Sequence, residues 1–490
     1  MFVDRSDRVA PRAAFKAYGV AVTPGREGPC AVVAGHGCRN RLYTWRDGRL
    51  IDVAPGAVAN ETGHAVGVAA GDLDADGREE LYVHNTDSYE GETRDTDLLL
   101  DPVGDPADHP KGRWRDLFGR GINAGRDNFR AGRSVAVVDR YGTGRYGVAV
   151  ASHGEPLRFY ELGEGGELSD MAGEVGLGFS GRGRSLLAAS IVSDRTDLFV
   201  GVQNGPNRLF RNDGGHFTEI ADRVGVDAPA VNARGTTLVD DALAVCSWEG
   251  PNALFVPDER ACESSGVSGV GDGPAGDDSS GTVDGRSSAA DGGRGGFVDR
   301  TPAVFAEPSR VRTAVTTDFD NDGRDEMFVN ALGTENRLFR RHQTGDGLQL
   351  STLDPGPATE PRGLGTGAAV ADFDGDGVRE LLVVHGEVEP RPVSLYAPAD
   401  PGDRFLRVRP LTAAGAPARG ATVSLETDEW CRRRVVCGGS GYLCQMEPVA
   451  HFGLGDAAPE RVVVRWPDGR RRSLAAPEPR TEQELCHPSC

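Results

Sequence analysis

The element Asn-x-Leu-aromatic recurs at Asn40-Arg-Leu-Tyr43, Asn207-Arg-Leu-Phe210, Asn252-Ala-Leu-Phe255 and Asn336-Arg-Leu-Phe339. A second element, a large apolar residue followed closely by an acid, recurs at Phe2, Leu50, Trp114, Leu168, Phe217 and Phe297, with a weaker copy near Leu350. Short apolar runs lie between them, such as 65–70, 81–84, 314–317, 327–330, 367–370 and 381–384. Together they define a repeat of roughly 50 residues, a period that belongs to propellers and solenoids. Each repeat reads as four short strands, so the fold class is all-β and the unit is one propeller blade. The last unit, 363–397, lacks its outer strand, and the chain begins with an orphan copy of it at Phe2-Val-Asp4. Ring closure by that strand removes two free sheet edges and predicts a seven-bladed β-propeller over residues 1–402. An open stack of the same units leaves the orphan strand unexplained. With 68 Gly, 30 Pro and 38% hydrophobic residues, the composition suits tight turns rather than long helices.

Three turns of the repeat carry carboxylates in one register: Asp72-Leu-Asp74-Ala-Asp76-Gly-Arg78-Glu-Glu80, Asp318-Phe-Asp320-Asn-Asp322-Gly-Arg324-Asp-Glu326 and Asp372-Phe-Asp374-Gly-Asp376-Gly-Val378-Arg-Glu380. Ca²⁺ takes six to eight hard oxygen ligands. Carboxylates at the first, third and fifth positions converge when the chain curls round an ion, and glycine at the sixth permits the sharp turn. The carbonyls of Arg78, Arg324 and Val378 and the side chains of Glu80, Glu326 and Glu380 can complete the shell. Without an ion, such a cluster crowds like charges. An EF-hand wants a glutamate at the twelfth position, where this chain has Val83, Val329 and Val383 inside strand-like runs, so these are hairpin loops. The equivalent turns at Asp139–Gly144, Val192–Asp197 and Val239–Ala242 are degenerate and are expected to bind no metal.

Two stretches interrupt the repeat: 87–112, read as a long acidic loop, and 263–295, a Gly/Ser/Asp-rich insertion too poor in apolar side chains to fold. Beyond residue 402 the Asp loops stop, and 403–475 read as a separate small β domain followed by a polar tail, 476–490.

The formal net charge of −20 argues against nucleic-acid partners and anionic membranes. Lys16 and Lys111 are the only lysines, a bias that either a high-salt cytoplasm or a GC-rich genome produces. No apolar run is long enough for a transmembrane helix, and the first residues form no secretory leader, so the default compartment is the cytoplasm and the default cysteine state is reduced. Cys431, Cys437, Cys444, Cys486 and Cys490 crowd the C-terminal end without a zinc-type spacing. His451 reads as closing a turn, and Arg432–Arg434 as a solvated strand face. No Ser/His/Asp set, HExxH or phosphate loop is present.

The Asp-x-Asp-x-Asp-Gly loops followed by apolar strands resemble the FG-GAP/VCBS repeats of integrin-α-like propellers. Gly439-Ser-Gly-Tyr-Leu-Cys444, His451-Phe-Gly-Leu-Gly455 and Val462-Val-Val-Arg-Trp-Pro-Asp-Gly469 resemble the ASPIC/UnbV domain. The combination is similar to the cartilage acidic protein 1 family. That resemblance implies Ca²⁺ in selected blades and a role in binding rather than catalysis. The expectation is a monomeric, non-enzymatic scaffold that presents loops to a protein or glycan ligand. A polysaccharide hydrolase or lyase and a purely structural protein are the rival readings.

Overall fold

In the computed structural model, residues 1–104, 112–258, 296–344 and 347–490 are described. The insertion expected at 263–295 lies outside them.

The recurring asparagine has a structural cause. Asn336 Oδ1 accepts the Ala331 N–H at 2.9 Å and its Nδ2 donates to the Ala358 carbonyl at 3.0 Å, closing a hairpin and tying it to the following segment. Asn40 does the same with Gly35 and Val58, and Asn252 with Ser247 and Phe305. These buried amides satisfy backbone groups that the tight connection would otherwise orphan. The acid of the second element bonds back to the neighbouring strand: Asp170 accepts from Phe159 N–H and Asp52 from Leu42 N–H.

The hairpins build seven antiparallel units of four strands. The first strands are Ala17–Gly25, Ala65–Gly71, Gly132–Val138, Ser180–Ala189, Ala233–Val239, Val311–Thr317 and Gly365–Ala371. The fourth strands include Arg49–Asp52, Arg113–Asp116, Leu168–Asp170, Phe217–Glu219 and Phe297–Asp299, where the apolar-plus-acid elements lie. In the last unit the fourth strand is Phe2–Asp4, paired with Ser394–Pro398 through Phe2↔Pro398 and Asp4↔Tyr396. Each first strand packs against the next, and Gly365–Ala371 packs against Ala17–Gly25. The core lies between units; Phe2 meets the Phe319 ring edge-on at 4.9 Å, for example. The stretch 87–112 is not one loop: Leu98–Val103 is the third strand of its unit. Asp97 stands there in the place of the repeated asparagine and accepts the Asn85 N–H, which hid the strand from the pattern.

The C-terminal domain has its own core of Leu406, Val423, Phe452, Val464 and Trp466 between two sheets. The expected polar tail is part of it: Thr481–Cys486 pairs in parallel with Phe405–Leu411. Nor does the domain stand apart. Its segment 437–449 enters the axis of the repeat units and touches all seven first strands. Gly438 and Gly439 carbonyls accept from Val137 and Ala188, and Gly441 pairs with Thr236. Tyr442 and Leu443 N–H groups donate to the Thr313 and Ser134 hydroxyls. Gln445 bonds the backbone of Val20, Val22 and Ala70, and Glu447 N–H reaches the Val370 carbonyl.

Candidate metal centres

Each Asp loop joins the first and second strands of its unit. The apolar second residue (Leu73, Phe319 or Phe373) is buried and anchors the loop. Its N–H donates to the ninth-position glutamate, at 2.6 Å for Glu80, 3.0 Å for Glu326 and 2.8 Å for Glu380. The first-position carboxylate accepts the sixth-position glycine N–H in all three loops: Asp72 from Gly77, Asp318 from Gly323, Asp372 from Gly377. Those glycines have φ of 91°, 85° and 84°, conformations that a side chain resists. The fourth position is left-handed as well, occupied by Ala75, Asn321 and Gly375.

This folding brings carboxylate oxygens of Asp72, Asp74 and Glu80 within 4.8 Å of one another, and likewise Asp318, Asp320 and Glu326, and Asp372, Asp374 and Glu380. The fifth-position carboxylates of Asp76, Asp322 and Asp376 accept the N–H of Arg78, Arg324 and Val378. Among the described residues, three buried oxygens, Glu80 Oε1, Asp318 Oδ1 and Asp374 Oδ1, one in each loop, have no hydrogen-bond donor. Burial pushes Asp72 up to about 7, Asp372 to about 6 and Glu326 to about 9, with neighbouring carboxylates adding to the effect. Buried oxygens without donors, in a cluster of that size, fit a hard divalent cation. Each loop has a cation on it, Arg78 at Asp76 in the first and Arg407 at Asp372 in the third, but in the second a single guanidinium, Arg340, bridges Asp320, Asp322 and Glu326.

The eighth position, which the sequence pattern did not single out, points in each loop at the C-terminal domain. Glu79 pairs with the fully buried Arg419, Asp325 with Arg434, and Arg379 with Glu447. Arg433 also bonds Asp241 and Ser190. The run Arg432–Arg434 is therefore largely an interface rather than a solvated face. His451 is buried, and its Nε2 donates to Asn321 Oδ1 at 2.7 Å, inside the second Asp loop. Burial holds it well below its ordinary pKa, so it is neutral. None of the eight described cysteines forms a disulfide with another.

The degenerate turns keep the backbone role without the cluster. Asp139 accepts N–H from Gly142, Thr143 and Gly144, but its third position is Tyr141. Asp197, at the ninth-position place, accepts from Ile191, Val192 and Ser193.

The FG-GAP-like repeat family matches residues 318–383, which contain two of the three Asp loops, and the ASPIC and UnbV family matches 412–489. Cartilage acidic protein 1 of Xenopus tropicalis is 36% identical over 96% of this chain and 74% of its own length. The Mus musculus protein is 37% identical over 96% and 74%, and the Homo sapiens protein 36% over 96% and 72%. These relatives correct the cytoplasmic default, since they are proteins of an extracellular matrix. The default leaned on the absence of a leader in the first residues, and the chain spans only part of its relatives' length. At that identity, over nearly all of its residues, the chain belongs to the cartilage acidic protein 1 family.

Proposed function

We propose that the chain is a non-catalytic seven-bladed β-propeller, braced by Ca²⁺, that serves as a scaffold for a protein or glycan ligand. The donor-free buried oxygens at Glu80, Asp318 and Asp374 carry the metal reading. The ions would be held by Asp72, Asp74, Asp76 and Glu80, by Asp318, Asp320, Asp322 and Glu326, and by Asp372, Asp374, Asp376 and Glu380. The carbonyls of Arg78, Arg324 and Val378 would complete the shells. Bound Ca²⁺ would offset the like charges crowded in each cluster. The loops then fix their eighth residues, which hold the C-terminal domain on that face. The scaffold reading follows from this bracing, and among the described residues no helix is long and apolar enough to cross a membrane.

Calorimetry of Ca²⁺ binding tests the metal. Three binding events are expected, the weakest at 318–326 where Arg340 competes; no heat and no Ca²⁺-dependent rise in melting midpoint would refute it. A glycan array and a protein pull-down, each with Ca²⁺ and with EDTA, test the scaffold. Metal-dependent capture supports it, and turnover of a glycan overturns it.

A further inference from the structure

The first strand of every unit carries a register shift near its start: between Ala17 and Val20, Ala65 and Gly67, Gly132 and Val135, Gly183 and Ser185, Ala233 and Thr236, Val311 and Thr313, and Gly365 and Gly367. A bulge re-aims a side chain. Here Tyr18, Val66, Arg133, Arg184, Arg234 and Arg312 line one axial cavity of about 580 Å³, together with Tyr442 of the axial segment 437–449, the plug. The volume lies in the range of small-molecule sites.

Four consecutive units thus supply arginines to one space in a chain of net charge −20. The wall also holds Asp87, Glu249 and Glu387, but each carboxylate has its own arginine: Arg94, Arg310 and Arg312. Among the described residues, Arg133, Arg184 and Arg234 form no ion pair with a carboxylate. Arg184 donates to Gln203 Oε1 and to the Tyr89 hydroxyl, both at 2.7 Å. Arg234 donates to Asn232 and the Ala233 carbonyl, its Nε has no partner, and it lies over the Trp248 ring. Arg184 and Arg234 are only 3% and 4% exposed. Guanidiniums buried together without anions are costly. They also offer forked donors suited to planar or tetrahedral oxyanions.

We propose that this cavity binds a small ligand bearing a carboxylate, sulfate or phosphate group, held by Arg133, Arg184 and Arg234 with its body against Trp248 and Tyr89. The site stands apart from the calcium reading, and titration in EDTA tests it separately. The full chain is titrated with sodium sulfate, phosphate and glucuronate, with glucose as the neutral control, at ionic strength fixed by chloride. At least one oxyanion should bind with one-to-one stoichiometry and raise the melting midpoint, while glucose does neither; which of the three binds identifies the group. Arg184→Gln and Arg234→Gln should each weaken that binding at least tenfold while leaving the midpoint unchanged or higher, since like charge is removed. Arg461→Gln, whose exposed pair with Glu426 lies on the C-terminal domain and outside the cavity, should leave binding unchanged. Failure of all three oxyanions to raise the midpoint above the chloride control overturns the proposal, as does equal binding by the Arg184→Gln and Arg234→Gln variants.

Discussion

The sixth unit carries both polarities on one strand. Arg312, near the start of Val311–Thr317, faces the axial cavity, while Asp318 follows its end and stands among carboxylates beneath the C-terminal domain. At about 3.3 Å per residue the two lie roughly 20 Å apart. The same division runs round the axis. One end is acidic and closed, with its eighth-position side chains in ion pairs with the C-terminal domain. The other is basic and open, with Tyr89 55% exposed at its rim. A net charge of −20 describes neither end, because charge acts over the local field rather than the sum.

The closed end should break hardest at Arg419. Its guanidinium bonds both Glu79 oxygens and the carbonyls of Val22, Cys437 and Met446. Arg419→Ala leaves Glu79 buried without a counter-charge, at a cost of about 3–5 kcal/mol. Denaturant unfolding measures it. Adding Glu79→Gln should recover part of the loss, and a cycle without coupling would show that the pair does not hold the domain.

Metal comes next. At Ca²⁺ ten to a hundred times its dissociation constant, each loop should gain about 1–3 kcal/mol. Asp72→Asn should remove one such increment. Asp139→Asn, in the turn that lacks the cluster, should lower stability, because the amide keeps one accepting oxygen but sets an NH2 group where the other accepted an N–H, and should leave the Ca²⁺ response intact. A smaller calorimetric stoichiometry in Asp139→Asn would contradict the distinction between the turns.

How legible these ends were differs for a physical reason. The Asp loops and the four-strand units are local: their ligands lie within nine residues, and the asparagine that closes a hairpin lies five residues beyond its partner. Docking of the C-terminal domain is not local, because Glu79 and Arg419 are 340 residues apart and neither occupies a position that a motif specifies. The arginine mouth did leave a trace. Tyr18-Gly, Val66-Gly, Arg133-Ser, Arg184-Ser, Arg234-Gly, Arg312-Thr and Thr366-Gly share one register, a variable residue before a small one. The small residue lies against neighbouring strands or the plug, as Gly19 against Leu443 and Gly367 against Cys444, where a Cβ would collide. The variable residue is aimed by the bulge, which no hydrophobic period reveals. Leu98–Val103 was missed for a simpler cause, the aspartate standing where the repeat has asparagine.

Acidity offers a third comparison. Burial raises Asp72 to about 7, Asp372 to about 6 and Glu326 to about 9, against roughly 4 in the unfolded chain. The native state then holds protons that the unfolded state has released, so in EDTA stability should fall as pH rises from about 4 towards those values. At about 1.4 kcal/mol per group and pH unit, the loss between pH 5 and 8 should be on the order of 1–4 kcal/mol for each cluster. Saturating Ca²⁺ should flatten it, since the bound ion favours the charged carboxylates. Asp139, raised by burial to about 6, carries the same sign and should retain its share in Ca²⁺. A pH profile identical in EDTA and Ca²⁺ would mean that the three clusters are not where the ion acts.

The open end gives the smallest effect and the cleanest signal. Burial opposes ionisation of the Tyr442 phenol, but Arg184, Arg133, Arg312 and Arg234 outweigh it and bring the phenol down to about 8. Burial drives others, such as Tyr43 and Tyr82, upward. A folded pKa below the unfolded value of about 10 contributes stability that is present above pH 10 and lost as pH falls through 8. Near pH 7 the phenol is mostly protonated, and the contribution is small. Absorbance at about 295 nm reports phenolate, and a step near pH 8 that disappears in Tyr442→Phe should be visible in the folded protein. Arg184→Gln removes the first-named guanidinium and should move that step up by roughly one pH unit. An unmoved step would mean that the positive field at this end does not come from the bulge-aimed arginines.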